Sequence, residues 1–385
     1  MLSGKKWENA DDPEMPIDDE AVDAVATSLK NGAIVKRLVD ESGEYAQSFG
    51  LDAPALVVRA FGANESIEYE IGDKNEALEG YYAKQNGAQT VYIIETMLPE
   101  SLMKDIYGFI VPDNFPTILT DNIRGVGLKS ATSVLELEYF KDGRADVYTK
   151  NIKWFEKEQD GSYSPVRTSL ATVLAGSVVG IDYDKCINYS ASPAEREAYG
   201  LSEPEITIRI DYVIIDEKDA VTDEKSLEIL VGGKTQNGES RYFTWSDTDM
   251  VFTVRESNTG EITKYFDEEL APLEVCAVSV DEVNSLTLGA NEKTIEVRRT
   301  TQSVTDDAGN TETKDIYTVD SEIVDNSKID AVFSYLNGFK IDGVAQPGYA
   351  RGKLFLSVVL KTDRPGFETM SLNAYTYNTN FYRIS

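Results

Sequence analysis

Two stretches of this chain repeat one another in order, and that repetition constrains the fold more than any other feature. "FGLDAPALVVR" (Phe49 to Arg59) and "YGLSEPEITIR" (Tyr199 to Arg209) share an aromatic residue, a Gly-Leu pair and a proline ahead of a run of extended-chain formers. Downstream, "IEYEIGDKNEALEGYYAKQNGAQTVYII" (Ile67 to Ile94) aligns with "LEILVGGKTQNGESRYFTWSDTDMVFTV" (Leu227 to Val254). This sets Gly72 and Lys74 on Gly232 and Lys234, Tyr82 on Tyr242, and Val91-Tyr92 on Val251-Phe252. A single short match arises by chance, whereas an ordered series through strand, loop and strand marks a duplication. The second copy is longer within "DYVIIDEKDAVTDEK", which predicts a longer hairpin loop there, since closure entropy grows slowly with loop length.

Helix-period segments accompany the copies. Asp18 is placed to cap a helix with Val22, Val25, Ala26 and Leu29 on one face and Asn31-Gly32 as its stop. In the second copy Leu170, Val173 and Leu174 lie ahead of Gly176. Further on, Asn326 or Ser327 caps a segment with Ile329, Val332, Phe333 and Leu336 on one face, closed by Asn337-Gly338. Trp7 and Trp154 each precede a helix. Alternating runs, Val134 to Glu156 around Asp142-Gly143 and Ser285 to Val319 around Ala308-Gly309, read as lead-in hairpins. The last strands, "KLFLSVVLKT", "TMSLNAYTY" and "NFYRIS", put Phe381-Tyr382 in the place of Val91-Tyr92.

The expected fold is therefore α+β, with three tandem repeats of a mostly antiparallel sheet and one short amphipathic helix each. The units span 1–125, 126–270 and 271–385; the first lacks its lead-in hairpin, which fits a chain cut from a longer precursor, and the third is degenerate. Gly50 and Gly200 are expected at positive φ, Leu51 and Leu201 in the core, and Pro54 and Pro204 where a strand starts without needing a ladder donor. Gly72-Asp73-Lys74 and Gly232-Gly233-Lys234 read as turns between strands, because a phosphate loop needs Walker spacing and a following helix.

Composition narrows function by exclusion. The chain has 385 residues, 41% of them hydrophobic, enough to bury a sizeable core. A net charge of -30 repels phosphate backbones and anionic headgroups, so nucleic acid is excluded as a partner. There is no histidine, which removes Ser-His-Asp and Cys-His nucleophiles and most zinc sites. Cys186 and Cys276 lack metal-ligand spacing and read as unbridged core residues. The apolar stretch Leu170 to Ile181 falls short of the roughly 18 residues that span a bilayer, and reads as a buried helix running into a strand. "MLSGKKWENADDPEMPIDDE" has no apolar h-region, hence no secretory signal within it.

Acidic clusters, Asp11 to Glu20 and Tyr265 to Pro272, read as solvated faces among 67 Asp and Glu residues, and "TDDAGNTET" (Thr305 to Thr313) as a hairpin tip with only a loose likeness to a calcium loop. No catalytic, cofactor-binding or metal residue is assigned. The 21 tyrosines are the least ordinary feature. Tyr81, Tyr82, Tyr92, Tyr242, Tyr375, Tyr377 and Tyr382 recur on the strand pairs; facing helices they are core, and on an open face they contact a protein or glycan.

At Trp7, Phe49-Gly50-Leu51-Asp52-Ala53-Pro54, Ile71-Gly72-Asp73-Lys74, Tyr81-Tyr82 and Val91-Tyr92 the chain resembles domain-of-unknown-function family 4340. The resemblance is good over 7–95 and fair over 154–255, where Gly233 and Arg241 depart from the pattern, and architectural beyond. It implies a bacterial, lipoprotein-like envelope protein, extracytoplasmic and held to the membrane by an N-terminal anchor outside this chain, sometimes encoded beside ABC transporter components. It supplies no catalytic residues. A repeat array presents broad surface rather than one deep site. The expectation is thus a non-catalytic binding or scaffolding module, accessory to an envelope ABC transporter, with a protein or glycan of the envelope as partner and no cofactor. Two alternatives stay open: a carboxylate-based enzyme acting on glycans, and a small-solute receptor with a pocket between repeats.

Overall fold

The computed structural model describes residues 2–3, 6–31, 34–39, 48–61, 66–305, 311–343, 352–378 and 381–385. Alternating sequence runs become antiparallel sheets, and the fold is a sheet-rich α+β one. A ribbon of β1 (Leu2–Ser3) and β2 (Lys6–Trp7) comes first. A five-stranded sheet holds β3 (Ile34–Val39), β4 (Leu56–Phe61), β5 (Ser66–Asn75), β6 (Gly80–Gln85) and β7 (Thr90–Glu95) in the order β3-β7-β6-β5-β4. A nine-stranded sheet holds β8 (Ile123–Ser130), β9 (Val134–Tyr139), β10 (Trp154–Lys157), β11 (Tyr163–Pro165), β12 (Tyr183–Asn188), β13 (Ile206–Ile215), β14 (Val221–Lys234), β15 (Ser240–Trp245) and β16 (Val251–Arg255). Its order is β11-β10-β9-β8-β13-β14-β15-β16-β12. A seven-stranded sheet holds β17 (Val283–Ala290), β18 (Lys293–Thr305), β19 (Thr311–Val319), β20 (Glu322–Val324), β21 (Leu354–Thr362), β22 (Thr369–Thr376) and β23 (Tyr382–Ile384), ordered β20-β19-β18-β17-β21-β22-β23.

Among the described residues the α-helices are α1 (Asp19–Asn31), α2 (Met97–Leu102), α3 (Thr168–Val179), α4 (Pro193–Ala198), α5 (Glu256–Thr263) and α6 (Asn326–Asn337). The expected single helix per repeat is too few for 1–125 and 126–270, since α2, α4 and α5 are short helices at strand ends where no long apolar period announces them. No helix among the described residues is long and apolar enough to cross a membrane.

The chain divides into two compact units, one of residues 1–115, 183–203 and 232–255, the other of 116–182, 204–231 and 256–385. In the first, Asp18 caps α1 by accepting from the backbone N–H groups of Glu20 at 3.0 Å and Ala21 at 3.1 Å. The Trp7 indole donates to Asp23 at 2.6 Å and its backbone N–H to Asp19 at 2.7 Å, which ties β2 to the helix. Leu29 and Leu102 pack on Val58, Ile71 and Ala83 of the five-stranded sheet. The expected stop at Gly32 lies outside the described residues.

In the second unit α3 buries Ala171, Leu174, Ala175 and Val178. It runs through Gly176, the expected stop, and ends at Gly180, whose N–H donates to the Gly176 carbonyl. Val173, expected on the buried face, is 55% exposed because it falls off that i, i+3, i+4, i+7 stripe. The cap of α6 is Asp325, one residue ahead of the expected Asn326 or Ser327. Its carboxylate accepts from the Ser327 N–H at 2.8 Å, and Gly338 closes the helix as expected. Ile329, Phe333 and Leu336 bury against Leu286, Val358 and Leu360 of the seven-stranded sheet. The Ala308-Gly309 turn lies outside the described residues, while Gly143 sits at φ +67° between β9 and β10.

The duplication is explained by a close backbone contact. Gly50 and Gly200 have φ of +68° and +71°, and Leu51 and Leu201 are each 3% exposed. The second of these turns is a helix end: Gly200 N–H donates to Glu197 and Leu201 N–H to Arg196, a left-handed C-cap on α4. From each turn a carbonyl reaches the sheet. Phe49 accepts from the Asp73 N–H at 2.8 Å, and Tyr199 accepts from the Gly233 N–H at 2.9 Å. A Cβ on Gly72 would stand 2.1 Å from the Phe49 oxygen, and one on Gly232 2.2 Å from that of Tyr199. The Gly-Asp-Lys and Gly-Gly-Lys segments are therefore not turns but parts of β5 and β14. In β5 the register slips there, Ile71 pairing with Ala83 and Lys74 with Tyr81. Such a bulge leaves one residue out of the ladder, and its amide is turned toward the neighbouring turn.

The order β4-β5-β6-β7-β3 recurs as β13-β14-β15-β16-β12. The added residues of the second copy are paired rather than looped: β13 and β14 continue their ladder out to Ile215 opposite Val221. Alternation persists through "DYVII", so ladder bonds form where a loop was expected. Cys186 and Cys276 are buried and free, as expected.

Gly72→Ala should cost about 1–3 kcal/mol through forced backbone displacement, whereas Gly260→Ala in α5, with open space at its Cβ position, should gain about 0.5–1 kcal/mol from helix propensity. Urea unfolding followed by tryptophan fluorescence checks both, and equal effects would refute the interlock.

Candidate functional site

The seven candidate tyrosines fall into different surroundings. Tyr82 stacks on Phe49 with ring centroids 4.1 Å apart and accepts from the Asn75 side chain at 2.6 Å. Tyr242 packs on Tyr199 at 4.5 Å. Both brace the aromatic residue that precedes the Gly-Leu pair. Tyr81 packs on the core of the five-stranded sheet, with the Lys74 ammonium 5.8 Å from its ring centre. Tyr92 pairs across the ladder with Ala83 and is half-buried, as is Tyr375 on β22. Tyr377 and Tyr382 are different, since both line a cleft in the second unit. Tyr382 is 48% exposed and stacks on Phe355 at 4.6 Å.

This cleft has a volume of about 1000 Å³ and carries the rings of Tyr148, Phe339, Tyr377, Phe381 and Tyr382. One wall is a short ladder in which Val275 N–H donates to Phe339 at 2.9 Å and Ile341 N–H donates to Leu273 at 2.7 Å. Another is β23. The charged groups along it, Glu274 and Asp342 against Lys340 and Arg383, balance locally despite the acidity of the chain. A smaller cavity of about 400 Å³, lined by Leu336, Leu360, Met370 and Leu372 among others, shares Tyr148, Val275 and Ile384 with the cleft. Burial pushes the Tyr148 hydroxyl and the Cys276 thiol up, so both stay protonated at neutral pH.

Tyr148 is held from both sides. The Thr149 hydroxyl lies 2.9 Å from the Ala277 carbonyl and 2.8 Å from the Glu282 carboxylate, which also accepts from the Lys150 N–H at 2.8 Å. The Arg364 guanidinium donates to the carbonyls of Val147 and Arg144. Lys150 pairs with Asp281, and that hydrogen bond holds the Asp281 carboxyl below its usual range. Sequence reasoning missed Tyr148 and Phe339. Phe339 directly follows the Asn337-Gly338 stop, a position where a ring folds back on the helix end, but nothing in the sequence around Tyr148 forecasts its clamp.

Tandem antiparallel sheets, with the Gly-Leu interlock built twice, define the class of protein: a duplicated sheet-rich α+β chain. The model of a domain of unknown function, DUF4340, matches residues 7–160 and 165–353 as two tandem copies, and the chain belongs to that family. No curated protein and no solved structure matches it.

Tyr82→Ala and Tyr242→Ala should each cost roughly 1–3 kcal/mol by removing a half-buried ring stack, while Tyr382→Ala, whose stack on Phe355 is exposed on both rings, should cost less than about 1 kcal/mol; thermal melts distinguish them. Because the Asp281 carboxyl is depressed, its pairing stabilises the fold above the unfolded value near about 3.9 and loses that effect as pH falls through the folded value. Asp281→Asn should accordingly shed part of the acid sensitivity between neutral pH and pH ~3, measured as melting temperature against pH.

Proposed function

We propose that the chain is a non-catalytic, extracytoplasmic binding or scaffolding module, accessory to an envelope ABC transporter and built from three repeat units near 1–125, 126–270 and 271–385. Strand order supports the third unit. The run β17-β21-β22-β23 follows the pattern β8-β13-β14-β15, with β18, β19 and β20 on the other side as β9, β10 and β11 are. On this reading β23 stands where β15 and β6 stand, not where Phe381-Tyr382 was matched to Val91-Tyr92.

The observation that carries the binding reading is the cleft rimmed by Tyr148, Phe339, Tyr377, Phe381 and Tyr382. Aromatic rings at a concave surface contribute large apolar area with few rotors to immobilise, which suits protein recognition. Glu274 and Asp342 on the same walls favour the glycan-acting enzyme as the second reading.

A photoreactive phenylalanine at position 381 should form a covalent adduct with one envelope protein in living cells, and the same group at Ile323 on β20, 75% exposed, should not. Adducts from neither position, or glycan hydrolysis by the purified protein that Glu274→Gln abolishes, would overturn the proposal.

A further inference from the structure

An asparagine followed by glycine can cyclise on itself, because glycine has no side chain to hold its backbone nitrogen away from the asparagine carboxamide. Four such pairs occur in this chain: Asn31-Gly32, Asn86-Gly87, Asn237-Gly238 and Asn337-Gly338. Gly32 lies outside the described residues. The other three differ in what the glycine amide does. Gly238 N–H donates to the Thr235 carbonyl at 2.9 Å, and Gly338 N–H is shared between the carbonyls of Ser334 at 3.0 Å and Tyr335 at 3.1 Å. Their asparagine side chains are held as well. Asn237 Oδ1 accepts from the Thr235 hydroxyl at 2.7 Å and from the Glu239 N–H at 3.2 Å, and Asn337 Nδ2 donates to the Val278 carbonyl at 3.1 Å.

The remaining pair is built differently. Asn86 and Gly87 are the exposed central residues of the turn from β6 to β7, which closes with Ala88 N–H donating to the Gln85 carbonyl at 2.9 Å. That bond spans the turn and leaves the Gly87 N–H in its middle, without a partner among the described residues. Gly87 has φ +76°, and nothing stands within 4 Å of the place a Cβ would take. The nitrogen is thus both unbonded and unshielded. Beside it, the Asn86 N–H donates to the Glu68 carbonyl at 2.9 Å and Nδ2 donates to the Glu68 carboxylate at 2.7 Å, which extends the β5–β6 pairing past Gln85.

We propose that Asn86-Gly87 is a site of spontaneous deamidation that rewrites the tip of this hairpin as the protein ages. The Gly87 nitrogen attacks Cγ of Asn86; an N–Cγ bond forms, the Cγ–Nδ2 bond breaks, and ammonia leaves with the proton that the nitrogen gave up. Water, the sole co-reactant, then opens the cyclic imide at either carbonyl, and nothing is oxidised or reduced. Opening at one carbonyl leaves an aspartyl residue on the normal backbone; opening at the other routes the main chain through Cγ as an isoaspartyl residue. The first product sets a carboxylate against Glu68 where a hydrogen bond now stands, and the second lengthens the turn. Both loosen the end of the β5–β6 ladder.

The test is to age the folded full chain in warm, mildly alkaline buffer, digest samples over time and read the amide-to-acid mass change in the peptides holding Asn86, Asn237 and Asn337. A bonded N–H must be freed before attack, which slows the step by roughly threefold to tenfold per bond, so the Asn86 peptide should convert first and yield both aspartyl and isoaspartyl forms. In concentrated urea, where the three glycine amides are alike, the three peptides should convert at similar rates. Asn86→Gln, whose cyclisation needs a larger ring, should lose the fast conversion while keeping the parent circular dichroism. Asn86→Asp should lower the melting temperature by roughly 1–3 °C. Conversion of Asn237 or Asn337 as fast as Asn86 in the folded chain, or none at Asn86, overturns the proposal; parent-like melting of Asn86→Asp overturns the loosening of the ladder.

Discussion

The hydrogen bond from the Asp73 amide to the Phe49 carbonyl, repeated from Gly233 to Tyr199, fixes where each turn meets its sheet. A glycine is required at Gly72 and Gly232 because the carbonyl occupies the space of a Cβ, and at Gly50 and Gly200 because the chain turns at positive φ. With the turn seated, Leu51 and Leu201 are buried and the aromatic ring before each glycine lies against Tyr82 or Tyr242. The strand that follows, β4 or β13, then leaves the turn already in register with the bulged β5 or the long β14. Motifs far apart in sequence are thus the two halves of one contact.

Much of this was legible in the sequence because local physics enforces it. Positive-φ glycines, the Asp18 cap and the apolar face of α6 follow from steric and hydrogen-bonding rules acting over a few residues. Legibility ended where a residue's role depends on a distant partner. Gly72 looked like a turn because a bulge and a turn both require glycine, and only the Phe49 carbonyl tells them apart. Helix α4 was missed although Ser192-Pro193-Ala194-Glu195 forms a capping box with proline at the first helical position and Gly200 closes it. The seven tyrosines looked alike in sequence, yet their surroundings separate Tyr82 and Tyr242, which brace turns, from Tyr377 and Tyr382, which line a cleft.

The cleft itself depends on polar anchoring rather than on the apolar core. Thr149 is fully buried and satisfied by Ala277 and Glu282, and Glu282 also receives the Ser279 amide at 3.2 Å. A buried hydroxyl left without a partner would cost more than an average hydrogen bond gains. The position of Tyr148 is therefore set by its neighbours on both sides, a route invisible to any pattern of hydrophobic periodicity.

The division of the chain into interleaved segments bears on how it is made. The first compact unit takes residues 1–115, 183–203 and 232–255, and its contacts include Tyr189 with Asp12 and Thr248 with Asp113. During synthesis the N-terminal segment emerges long before those partners, so the unit cannot close until residue 255 has cleared the ribosome. Contacts of such sequence separation slow folding, because chain entropy is lost before they form. The five-stranded sheet, whose strands lie between residues 34 and 95, is under no such delay. It is suited to form first and to serve as the surface on which the later segments of that unit assemble.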